Sequence, residues 1–114
     1  MTTTSTPTTI IIAGRVFLPP EQVRDYLADA QALYPIGDAN PGARLISFGL
    51  DDEAAGIVTI LEHFDSQEAQ DRHFSHPDVV AFLTKWSPQM RNEVLKFDAV
   101  NERSAVEALS LIHI

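Results

Sequence analysis

The sequence contains no cysteine, which excludes a disulfide framework, a thiolate nucleophile, an iron–sulfur cluster and any zinc site built on thiolates. Basic residues are scarce: 8 Lys and Arg stand against 16 Asp and Glu, for a formal net charge of -8. A field of that sign repels phosphate backbones and anionic headgroups, so neither nucleic acid nor a membrane is an expected partner. Long apolar runs are missing too; none approaches the roughly 18 uncharged residues that a membrane-spanning helix needs. The start, Met1-Thr2-Thr3-Thr4-Ser5-Thr6-Pro7, has neither the basic segment nor the apolar core of a secretory signal. Residues 1–8 are therefore expected to form a flexible polar tail on a cytoplasmic protein. There is also no phosphate-binding loop, dinucleotide-binding glycine pattern or nucleophile elbow, which removes the common nucleotide-dependent and hydrolytic classes.

A chain of 114 residues supports one hydrophobic core and is too short for two. The β-branched run Thr9 to Phe17 reads as a first strand, stopped by Pro19-Pro20. From Pro20 the apolar residues Val23, Tyr26, Leu27, Ala30, Leu33 and Tyr34 recur at three- and four-residue steps, the period of an amphipathic helix. Pro35 and Gly37 are expected to end it, with a loop to Gly42. Arg44 to Leu50 and Ile57 to Phe64 then read as two strands of a hairpin around Asp51-Asp52-Glu53. Asp65, three residues before Glu68, has the spacing of a capping box and starts a short helix. A further helix begins at Pro77 and runs to Pro88, and Val94 to Val100 is a last strand in which Leu95, Phe97 and Ala99 alternate with Lys96 and Asp98. The order β-α-β-β-α-β over residues 9–103 predicts an α+β domain, a ferredoxin-like antiparallel sheet with its helices on one face.

A sheet covered on one side only should alternate apolar and polar residues. Here Ile10 and Ile12 oppose Ile11 and Ala13, and Ile57, Thr59 and Leu61 oppose Val58 and Ile60, so both faces are apolar. Packing the second face against the same face of another copy removes the exposed surface. A homodimer, two sheets closing into an α/β barrel, is the expectation; the alternative is that a terminal segment folds over the face.

The stretch Ile60-Leu61-Glu62-His63-Phe64-Asp65-Ser66-Gln67-Glu68-Ala69, followed by His73-Phe74-Ser75-His76-Pro77 and Val80-Ala81-Phe82, resembles the signature of the antibiotic biosynthesis monooxygenase family. The resemblance implies a dimeric α/β barrel with one pocket per subunit, between the sheet and its helices. Some members of that family oxidise electron-rich phenols, quinols or anthrones with molecular oxygen and need neither metal nor flavin. One branch degrades haem, using a histidine on the helix after the turn and an asparagine on the first strand. In this chain the helix from Pro77 to Ser87 has no histidine and the first strand carries Arg15, so haem degradation is not expected. The reading is of a cofactor-independent monooxygenase; the alternatives are a small-molecule-binding dimer without catalysis, and an isomerase or decarboxylase on the same fold.

Within that reading His73 is the candidate general base, because an imidazole titrates near neutral pH and the position matches the family's helix histidine; the plainer reading is a histidine that caps or packs beneath the broken helix. Glu62 is a candidate for substrate binding, or for a structural ion pair with Arg15 across neighbouring strands. Arg15 is also the candidate for stabilising a developing oxyanion. Tyr34, Trp86, Phe48 and Phe82 are candidates for an aromatic-lined pocket, against the plainer reading that they fill the core. His73, His76, His63 and Asp78 complete no recognised ligand motif, so no metal site is expected. Residues 104–114 read as a C-terminal tail. Within it Leu109-Ser110-Leu111-Ile112-His113-Ile114 matches the translation of a common transposase sequencing adaptor and is expected to carry no function; the alternative is a native apolar tail docked on the domain.

Overall fold

A computed structural model describes residues 8–106; the expectations placed on residues 1–7 and 107–114 lie outside the described residues. Four strands, β1 (Thr9–Phe17), β2 (Ala43–Asp52), β3 (Ile57–Phe64) and β4 (Arg91–Ala99), form one antiparallel sheet in the order β2-β3-β1-β4. Between β1 and β2 lie α1 (Val23–Gln31), entered through a 3-10 turn at Pro20–Gln22, and the short α2 (Tyr34–Asp38). Between β3 and β4 lie α3 (Gln67–Phe74) and α4 (Pro77–Trp86), the latter followed by a 3-10 turn at Ser87–Gln89. This is the ferredoxin-like α+β fold expected from the order of elements. Among the described residues no helix is long and apolar enough to cross a membrane.

Several boundaries differ from expectation for local reasons. Pro35 does not end the helical segment but sits in the first turn of α2, where its missing N–H costs nothing. The cap of α3 is Ser66, not Asp65: Ser66 Oγ accepts the Ala69 N–H at 3.1 Å, and Asp65 instead lies 3.5 Å from Arg44. His76 caps α4, its Nδ1 accepting the Asp78 N–H at 3.1 Å.

All helices pack on one face of the sheet. That face presents Ile10, Ile12 and Val16 from β1 and Val58, Ile60 and Phe64 from β3, all buried. Tyr26 of α1 is the hub of the helical layer, with its ring 5.2 Å from Phe82 and 5.4 Å from Trp86, both on α4, and 6.2 Å from Phe48 on β2. On the other face two rungs run across the strands in register, Leu95–Ala13–Leu61–Ser47 and Phe97–Ile11–His63–Leu45. Leu95 and Phe97 are 63% and 49% exposed. They therefore belong to the helix-free face, whereas Lys96 turns to the helix side; the polar residue of the alternation is the inward one.

Gly56 closes the β2–β3 hairpin with φ +72°, and a Cβ there would stand 1.9 Å from the Leu18 carbonyl oxygen. Its own carbonyl accepts the Leu18 N–H at 2.9 Å, so the turn also anchors the chain leaving β1. Gly56→Ala is expected to cost about 2–4 kcal/mol, from left-handed strain plus displacement of backbone. Gly49→Ala, with nothing within 4 Å of its built Cβ, is the control and should change little. Urea denaturation of the two variants checks the ranking.

Candidate functional site

Sheet and helices do not meet everywhere. Between them lies a cavity of about 190 Å³, walled by apolar side chains such as Ile12, Ile60, Val94, Phe48, Phe82 and Tyr26. Three polar residues, Glu62, Lys96 and Asn92, also line it.

Glu62 reaches this cavity because strand alternation puts it on the same face as Ile60 and Phe64. It lies in register with Ile12 on β1 and Ile46 on β2, both on that face. It is 4% exposed, and its Oε1 has no hydrogen-bond partner. Loss of hydration penalises the carboxylate and lifts its pKa to about 7. Tyr26 is pushed above the usual phenol range, by burial first and by the Glu62 charge second. Lys96 pairs with Ile12 from the opposite side, on β4, so Ile12 separates an acid and a base on one wall. The Lys96 ammonium is held by Gln67 Oε1 at the start of α3. Asn92 Oδ1 accepts the Val94 N–H at 2.7 Å.

Of the residues expected from the sequence, Glu62, Phe48 and Phe82 line the cavity; the others do not. Trp86 is core: it is buried, and its Nε1–H donates to Asp29 at 3.0 Å. That bond and the Lys85 ammonium at 2.7 Å hold Asp29 below the usual carboxylate range, the Lys85 bond being the larger cause. Tyr34 ties α2 to the edge strand, its hydroxyl accepting the Phe48 N–H at 2.9 Å.

Arg15 lies on the helix-free face, where it faces Asp51 at 3.8 Å and overlies the Phe17 ring at 5.8 Å. The expected pairing with Glu62 is not formed. Arg15 stands three positions from Ile12, an odd number, so it points away from the face that carries Glu62. His73 is likewise apart from the cavity. It is 4% exposed, packed 5.6 Å from the Phe64 ring and 5.4 Å from the Phe74 ring, and lines a separate depression with Arg72 and His76. Burial first and His76 second lower its pKa, which favours the neutral imidazole. The expectation that His73 faces a substrate beside Arg15 is thus corrected: the two are on opposite sides of the sheet.

Sequence reasoning passed over Tyr26 and Lys96. Tyr26 falls on the apolar stripe of α1 and reads as core, which it also is. Lys96 carried a usable signal, since it alternates with Leu95 and Phe97 and so shares a face with Val94.

A helix layer on one side of a four-stranded antiparallel sheet, with a cavity between them, defines the class: a ferredoxin-like α+β domain. The family model described as antibiotic biosynthesis monooxygenase matches residues 9–85, and the chain belongs to that family. Among curated protein sequences none matches. Solved structures share the fold at low identity. A conserved protein from Bacteroides thetaiotaomicron, described as a possible oxidoreductase, superposes with a TM-score of 0.72 at 12% identity, over 82% of this chain and 99% of its own. Provisionally assigned antibiotic biosynthesis monooxygenases from Deinococcus radiodurans and Caulobacter crescentus give TM-scores of 0.71 and 0.69. Their identities are 16% and 14%, covering 83% and 86% of this chain and 96% and 92% of theirs.

Because the Glu62 carboxyl titrates near 7 when folded and near 4.5 otherwise, the folded state holds its proton more tightly. The penalty for a buried charge is absent below about pH 4.5, grows as pH rises to 7, and is complete above it. Between pH 4.5 and pH 8, Glu62→Gln is expected to gain about 3 kcal/mol on the wild type. Denaturant melts of both proteins across that range measure the gap, which stays constant if the carboxylate is solvated or paired.

Proposed function

We propose that this chain is an oxygen-dependent oxidoreductase, a homodimer acting without a bound cofactor on a small electron-rich quinol or phenol held in the cavity between sheet and helices. The observation that carries the reading is the buried carboxylate of Glu62, its Oε1 unpartnered, in a largely apolar cavity. A base that titrates near the working pH is suited to take a phenolic proton, and apolar walls exclude water from the resulting anion. Lys96, across Ile12, supplies the positive charge that the sequence reading had given to Arg15.

Triplet oxygen reacts slowly with closed-shell molecules, and a phenolate is a far better one-electron donor than a phenol. Deprotonation by Glu62 therefore opens the path: one electron passes to oxygen, and the radical pair joins at a ring carbon as a hydroperoxide. Loss of water leaves a new carbonyl. For a one-ring quinol the sum is quinol plus O2 giving a hydroxyquinone plus H2O, so oxygen is the only oxidant required. About 190 Å³ falls below the roughly 300 Å³ at which pockets for drug-sized ligands begin, which favours one ring over the three rings of an anthrone.

The helix-free face supports the dimer. Leu45 of β2, Leu61 of β3 and Leu95 and Phe97 of β4 are exposed there, linked across β1 by Ile11 and Ala13, an apolar patch suited to its own copy. Phe97→Asp should give a folded monomer by light scattering, with the circular dichroism of the wild type; a variant that stays dimeric removes this face from the interface.

Oxygen uptake on a panel of one-ring quinols tests the chemistry. Glu62→Gln is expected to lower kcat/KM by about 10²-fold or more. The base is the ionised carboxylate, so wild-type kcat/KM, corrected for the Glu62→Gln background, should rise with pH and level off above about 7. Proton exchange into the substrate without oxygen uptake would instead favour an isomerase using the same base. Uptake no faster with protein than without it would leave a binding dimer.

A further inference from the structure

His73, excluded from the cavity, lines a second depression of about 320 Å³ between α2 and α3. One wall is apolar, formed by Pro35, Ile36 and Ala39; the other carries Arg72, His73 and His76. None of the residues lining it is acidic, in a chain whose acids outnumber its Lys and Arg two to one. The protein's overall charge disfavours anions, so a depression lined by Arg72, His73 and His76 and by no acid departs from that overall field.

The guanidinium is held in place from behind. Asn40 is buried, donates to the Ala69 carbonyl at 2.9 Å and accepts from the Gly42 N–H at 3.3 Å. Its Oδ1 also receives Arg72 Nη1 at 2.8 Å, while Arg72 Nη2 lies 3.3 Å from the exposed Glu68 carboxylate. A guanidinium has five N–H donors, so these bonds orient Arg72 without exhausting it. His76 spends Nδ1 on capping α4, which leaves Nε2 to carry its proton outward. His73 is 4% exposed, and its Nδ1 has no partner. A buried ring nitrogen without a hydrogen bond, next to a guanidinium fixed from behind, is a polar group short of a partner at this depression.

We propose that this depression binds the carboxylate of a small aliphatic acid, with the oxygens on Arg72 and the two imidazoles and the alkyl chain against Pro35, Ile36 and Ala39. A planar guanidinium matches a carboxylate bidentately, and the apolar wall distinguishes an organic acid from an inorganic ion. The site is separate from the cavity of Glu62 and does not depend on the reaction proposed there.

Titration with butyrate, followed by the ¹H–¹⁵N resonances of the imidazoles, tests this directly. His73 and His76 are expected to shift saturably in the millimolar range, while His63 stays still. Butyramide, the neutral isostere, should move none of them. Arg72→Gln, at a half-exposed side chain, should raise the half-saturating butyrate concentration by about tenfold or more. Arg72→Lys, which keeps the charge and loses the fork, should weaken binding as well and serves if the glutamine variant does not fold. The proposal is overturned if butyrate leaves His73 and His76 unmoved, if butyramide shifts them equally, if inorganic phosphate acts where butyrate does not, or if both Arg72 variants bind as the wild type does.

Discussion

The packing of every helix on one face of the sheet divides each strand into two kinds of residue, and most other features depend on that division. Tyr26 is where the helical layer is pinned: its ring meets Phe82 and Trp86 of α4 and Phe48 of the edge strand at 5.2–6.2 Å. Rings in tilted and edge-on contact bury large area with little freedom, so α1 and α4 are held to each other and to the sheet through one side chain. The space left beside that contact is the cavity. The opposite face, with no helix to cover it, keeps Leu95 and Phe97 exposed.

Glu62 is costly to the fold. Burying an ionised carboxylate without a partner is among the more expensive things a small domain can do, and this one lies among Ile12, Ile60 and Tyr26. The cost persists because the strand places position 62 on the inner face and nothing positively charged reaches its Oε1. A solvated carboxylate would titrate near 4.5, and a salt-bridged one lower still, and either would be a weaker base. The same lack of a partner that strains the core is what tunes the group to neutral pH.

Charged pairs elsewhere organise the surface. Arg24 grips Glu53 with two hydrogen bonds, joining α1 to the β2–β3 turn, and Arg44 grips Glu102 in the same manner beyond β4. Both are exposed and screened by water, so their effect lies in orientation more than in stability. The ordered turn at Gly56 rests on backbone geometry, which water does not weaken.

The periods of 2 and 3.6, the prolines and the small polar caps are local properties of the chain, and by themselves they determined the order of strands and helices and the ferredoxin-like class. The apolar character of both sheet faces was legible for the same reason, and so was the place of Glu62 on a strand that carries family character. What the sequence left open were relations between residues far apart in the chain. Arg15 and Glu62 looked like partners because β1 and β3 are neighbours, but only the register, with Ile12 opposite Glu62 and Thr59 opposite Arg15, puts them on opposite faces. His73 matched the expected base by type and position on its helix, and the packing of α3 against Phe64 turned it away from the cavity. Alternation tells which residues of a strand share a side. Which side meets the helices is decided by tertiary packing, because it depends on contacts that no local stretch of chain contains.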